Sequence, residues 1–121
     1  MKNYEQIRAK NALEAATGRS FKGANDGEVV KKIPTMIREN GFLGALAFAK
    51  ETDDKTGHAD VFRAIIEHLK SVGRLPGGKS DLDGFLADLC SADAAVLRAV
   101  TSEAMAYLNY LRRFARKGRE D

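Results

Sequence analysis

The stretch from Lys31 to Glu51 limits what this chain can fold into more than any other. Ile33, Met36 and Ile37 recur three and four residues apart, which places them on one stripe of a helix. Pro34 has no N–H to donate and biases Ile33 away from the α region. Either a helix starts there, with Pro34 in its first turn, or a longer helix is kinked there. Asn40-Gly41 reads as a helix stop, because both residues tolerate the left-handed conformation that closes a Schellman-type end. A second apolar run follows at once: Phe42, Leu43, Leu46, Ala47 and Phe48. The expected object is a bent pair of helical pieces, one rod or two, with Gly44, Ala45, Ala47 and Ala49 admitting a close neighbour.

The rest of the chain repeats helical periodicity between breakers. Asn3 to Thr17 reads as a helix with Asn3 as cap, Gly18 as terminator and Arg8, Lys10 and Glu14 on its polar side. Its alanines, Ala12, Ala15 and Ala16, favour close packing. Arg19 to Asp26 reads as a loop in which Phe21 plugs the core. The second helix is expected from a cap at Asp26 to about Glu51, followed by a polar turn over Thr52 to Gly57. His58 to Val72 carries a wide apolar stripe (Val61, Phe62, Ile65, Ile66, Leu69, Val72) and ends at Gly73. The loop from Arg74 to Lys79 places no structural demand on its charges. Ser80 is the expected cap of a short helix ending near Cys90, and Asp93 that of the longest helix, about Ala94 to Lys117. On that last helix Leu97, Val100, Ala104, Leu108, Leu111 and Ala115 share a face, widened by Tyr107, Tyr110 and Phe114. No strand run and no tandem repeat interrupts the pattern. The predicted fold is all-α, one domain over 1–121, a bundle of about five to six helices with no sheet.

Little in this chain points to catalysis. His58 and His68 would stand about 15 Å apart along one helix, too far to share a metal. Gly77-Gly78-Lys79-Ser80 lacks the upstream glycine and the preceding strand of a phosphate loop. Cys90 is the single cysteine, cannot form an internal disulfide, and reads as a small buried hydrophobe. The amino-terminal residues lack the apolar core of a signal peptide, and no apolar run is long enough to span a bilayer, so a cytoplasmic protein is expected. A net charge of +3 permits contact with nucleic acid without demanding it. The distribution matters more. Asn109, Arg112, Arg113, Arg116 and Lys117 line the side of the last helix away from its apolar stripe. Arginine forks there suit phosphate oxygens, although cations near a helix carboxyl end are also favoured by the macrodipole alone.

Two blocks carry a resemblance. Lys32-Ile-Pro-Thr-Met-Ile-Arg-Glu-Asn-Gly-Phe-Leu-Gly-Ala-Leu-Ala-Phe48 and Thr101-Ser-Glu-Ala-Met-Ala-Tyr-Leu-Asn-Tyr-Leu-Arg-Arg-Phe-Ala115 resemble signatures of the small α-helical subunit of the type III-B CRISPR effector, the Cmr complex. The resemblance implies a non-catalytic helical bundle that stacks in an inner filament with copies of itself. Its implied partners are the backbone and large subunits, the guide RNA and the target RNA; no cofactor, metal or membrane is implied. The matching blocks contain Lys32, Arg38, Arg112 and Arg113 as candidate RNA-binding residues, and helical geometry adds Lys31, Arg116 and Lys117. Ile33, Met36, Ile37, Leu43, Leu46, Phe48, Tyr107, Leu108, Leu111 and Phe114 are expected in the core. Two alternatives stay open on sequence: the small subunit of the related type III-A complex, and a free-standing helical nucleic-acid-binding adaptor.

Overall fold

The computed structural model describes residues 3–18, 28–52 and 57–115. They form α1 (Tyr4–Gly18), α2 (Glu28–Glu51), α3 (His58–Ser71), a single 3-10 turn (Pro76–Gly78), α4 (Leu82–Ser91) and α5 (Ala94–Phe114). Among the described residues there is no strand, in line with the all-α expectation, and no helix is long and apolar enough to cross a membrane. The expected caps at Asp26 and plug at Phe21 lie outside the described residues.

Local chemistry explains most helix ends. Asn3 Oδ1 accepts from the Gln6 N–H at 2.9 Å while Gln6 Oε1 accepts from the Asn3 N–H at 3.0 Å, a reciprocal capping box. At the end of α3, Gly73 (φ 72°) donates to Lys70 O and Arg74 donates to Leu69 O, which together make a Schellman motif. Asp81, rather than Ser80, caps α4, its carboxylate accepting from the Gly84 N–H at 2.9 Å. Its extended backbone puts the carboxylate over the first turn, where an acid is also favoured by the helix dipole. Asp93 occupies the cap position of α5 with extended backbone but makes no side-chain cap bond.

The helix stop expected at Asn40-Gly41 is present as a break within α2, without the left-handed Schellman geometry. Gly41 adopts φ 82°, ψ 161°, a region open only to glycine, and α2 resumes immediately after it. Pro34 lies well inside the first piece, so no helix begins there. Beyond the break, Phe48 meets the ring of His58 at the start of α3 edge-on at 5.3 Å. Burial, with a smaller effect from Lys32, lowers the His58 pKa.

Phe42, the first residue after the break, joins three helices. Its ring meets Phe62 of α3 edge-on at 5.5 Å and Phe85 of α4 at 6.1 Å. Around them Ile33, Leu46, Ile65, Ile66, Leu69, Leu89 and Leu108 are fully buried. Met36, Leu43 and Phe114 are only partly buried, packed against this core. Phe48 is not in the core: 43% of its surface is exposed, because it stands about 110° round the second piece from the buried Phe42, Ala45, Leu46 and Ala49. Cys90 is exposed as well, on the outer side of α4.

α1 packs along α5, although its only fully buried apolar residue is Ala12. Polar bonds supply what the weak apolar stripe does not. Glu103 of α5, 6% exposed, receives Arg8 in a two-pronged pair (Nε to Oε2 and Nη2 to Oε1, each 2.8 Å). Arg8 thus leaves the solvated polar side expected for it. Oε2 also meets His68 Nε2 of α3 at 2.8 Å, and the His68 ring stacks on Tyr107 at 4.4 Å. Asn11 Nδ2 donates to His68 Nδ1 at 2.9 Å and to Ser71 Oγ at 2.7 Å. With Nδ1 accepting, Nε2 carries the proton and donates to Glu103, so His68 is the neutral tautomer. Burial lowers the His68 pKa and outweighs the pull of Glu103. Burial alone would raise the Glu103 pKa, but the bonds from Arg8 and His68 overcome it and hold it low.

Three outcomes follow from this arrangement. Gly41→Ala meets no atom within 4 Å, so its cost, about 1–3 kcal/mol in chemical denaturation, is that of the backbone region alone. Glu103→Ala should cost about 2–3 kcal/mol, less than a fully buried pair because the Arg8 side chain keeps 25% of its surface. The unfolded chain protonates His68 at 6.5 and the folded one only lower, so stability is full above that pH and declines as pH falls below it. Glu103 adds a second loss below 4.5. The melting temperature should drop from about pH 7 to about pH 5, and drop less in His68→Gln.

Candidate nucleic-acid interface

Burying Glu103 fixes the rotation of α5. Val100, Ala104, Tyr107, Leu108 and Leu111 face inward with it, and the other side of the helix is left to solvent. Arg98, Ser102, Asn109, Arg112 and Arg113 are exposed on that side. At 100° per residue, Arg98, Ser102, Asn109, Arg112 and Arg113 fall within about a third of the circumference, and Arg98 stands about 21 Å from Arg112 along the axis. Glu103 is the only acidic residue between Ala94 and Phe114, and it is consumed inside. Every exposed charge on α5 is therefore positive. Arg98 did not stand out in the sequence because a single arginine fourteen positions upstream of a cluster looks isolated until the helical turns between them are counted.

The candidates on α2 have a different setting. Lys31, Lys32 and Arg38 are all exposed on its first piece. Lys31 is within 3.9 Å of Glu28, and Arg38 Nη2 donates to Thr35 Oγ1 at 3.4 Å. Lys31 and Lys32 border a groove of about 390 Å³ that also exposes Glu28 and Glu39 beside Met36. This face alternates in sign, and its field on a polyanion largely cancels. Of the seven predicted residues, Lys31, Lys32 and Arg38 stand exposed on α2, Arg112 and Arg113 stand exposed on α5, and Arg116 and Lys117 lie outside the described residues.

The two histidines are engaged structurally. His68 is locked between Asn11 and Glu103, His58 packs on Phe48, and among the described residues no three His, Cys, Asp or Glu side chains gather in a way that could hold a metal ion. What the surface offers chemically is point charge and planar donors along α5, suited to backbone phosphates rather than to bond breaking.

A family model described as CRISPR-associated protein (Cas_Cmr5) matches residues 4–117, which take in all five helices. No curated protein and no solved structure matches the chain. The family match decides for the type III-B over the type III-A reading and is that of a subunit without catalytic activity. With the match running almost end to end over an all-α bundle, the chain belongs to the Cmr5 family, the small subunit of the type III-B CRISPR complex Cmr.

Proposed function

We propose that this chain helps hold RNA in the type III-B interference complex, through the acid-free cationic side of α5. The observation that carries this reading is the burial of Glu103, which leaves Arg98, Arg112 and Arg113 as a strip with no exposed carboxylate on the same helix. Guide–target pairing reads the sequence, so the subunit needs only contacts to phosphates that tolerate any base. In this reading the protein is a single cytoplasmic domain that stacks with copies of itself beside the backbone and large subunits, along the guide and target RNA. Lys31, Lys32 and Arg38 have a smaller part, because Glu28 and Glu39 stand among them.

The test is RNA retention by the assembled complex across a salt series. Arg98→Ala, Arg112→Ala and Arg113→Ala together should weaken target retention and lower the slope of log affinity against log salt by about 2. The α2 set, Lys31→Ala, Lys32→Ala and Arg38→Ala, should lower it by less than half as much. An unchanged slope in the α5 variant would remove RNA contact from the role of this helix. Strong RNA binding by the isolated protein, equal to that of the assembly, would instead favour a free-standing adaptor.

A further inference from the structure

A second surface, next to the carboxyl end of α5, interleaves aromatic rings with arginines. Tyr4, the first residue of α1, is 42% exposed. The guanidinium carbons of Arg8 and Arg74 lie 5.5 and 5.3 Å from its ring centroid. Arg74 also donates from Nη2 to Tyr4 Oη at 3.2 Å, so a loop arginine that the sequence left without a role is fixed to a ring on the far end of the chain. Alongside, Tyr110 of α5 donates to Glu5 Oε2 at 3.0 Å and its ring stands 6.5 Å from that of Phe114. Arg8 and Arg113 both lie close enough to Tyr110 to act on its ionisation, opposing the Glu5 hydrogen bond that raises its pKa. Tyr4, Arg74, Tyr110 and Arg113 therefore belong to one neighbourhood, which begins where the α5 strip ends.

Each acid of this neighbourhood has a partner, and Glu5, bonded to a neutral hydroxyl, keeps its charge. Glu5 is bonded to Tyr110, and Glu103 is buried against Arg8 and His68. Arg8 is neutralised by that pairing, whereas Arg74 has no carboxylate in ion-pair range among the described residues. An exposed ring held beside a planar, unneutralised guanidinium is a stacking platform with its own positive charge. Such platforms take nucleobases irrespective of sequence, since every base presents a π-face. A base inside a duplex has both faces covered by its neighbours and cannot use one.

We infer that Tyr4 and Arg74 form a binding site for one unpaired RNA nucleotide, its base stacked on the Tyr4 ring and the Arg74 guanidinium and its backbone running on to Arg113. The inference rests on the proposed role of α5 in holding RNA and adds what that role lacks: a contact to a base, and a preference for single strands.

The experiment uses the assembled complex loaded with a target RNA that carries an unpaired, thiouridine-substituted stretch, and the same target fully paired. Tyr4→Leu should weaken retention of the unpaired target about 5- to 150-fold while leaving the salt slope unchanged, because stacking is not ionic. Tyr4→Phe should keep most of the affinity, and the fully paired target should not distinguish the variants. Arg74→Gln, which alters only an exposed side chain, should lose affinity and lower the salt slope by about 0.7. Photocrosslinking should recover the peptide containing Tyr4. If Tyr4→Leu and Arg74→Gln both bind as the unsubstituted complex does while the triple α5 variant is weakened, the nucleotide site is overturned and the cationic strip stands. If none of them loses RNA, both readings fall. Loss of subunit incorporation, with normal RNA retention by the complexes that do assemble, would make this face a protein contact and overturn the inference.

Discussion

One buried carboxylate governs how the helices of this bundle are set. Glu103 sits inside α5, where an unpaired charge would be costly, and its two oxygens are met by Arg8 from α1 and His68 from α3. Those bonds are directional in a way that apolar contacts are not. They fix the sliding position of α1 along α5, the height of α3 beside both, and the tautomer of the histidine between them. They also settle the face of α5 that looks outward. A helix with one acid and several arginines becomes a surface of a single sign because its acid has been drawn inside.

Much of this architecture could be read from the sequence, for reasons that are local. Helix spans follow from three- and four-residue periodicity and from breakers such as Gly73, so α1, α3 and α5 begin and end within a few residues of expectation. The core positions Ile33, Ile37, Leu46, Tyr107, Leu108 and Leu111 were legible in the same way. What escaped was non-local. Nothing near Arg8 announces a partner ninety-five positions away, and nothing near Glu103 announces burial. Phe48 belongs to the second apolar run by residue type, but its angle on that piece sets it beside the buried Phe42, Ala45, Leu46 and Ala49 rather than among them. Cys90 was placed inside on residue type alone, against the position that α4 gives it.

The candidate site divides along the same line. Arg112 and Arg113 were visible as a cluster at a helix end, and the structure leaves them exposed. That the α2 cations would stand among exposed acids and those of α5 would not depended on where Glu28, Glu39 and Glu103 ended up, which is a matter of tertiary packing. The two sequence blocks that carry the family resemblance each hold buried residues at helical spacing, Ile33, Ile37, Phe42 and Leu46 in one and Ala104, Tyr107, Leu108 and Leu111 in the other, with exposed residues between them. They record in part how the bundle packs.

The pairing of α1 with α5 has a consequence for synthesis. A ribosome releases α1 first and α5 last, so the helix with the weakest apolar face waits through the making of α2, α3 and α4 before its main partner exists. During that interval Arg8 has no buried carboxylate to meet, and α1 alone is too short to be a stable helix in water. The inner helices, linked through Phe42, Phe62 and Phe85, can condense while the chain is still growing. Closure of the bundle is then a late event that brings α1 and α5 together, and any nascent-chain partner that engages the exposed arginines of α5 competes with or follows that closure.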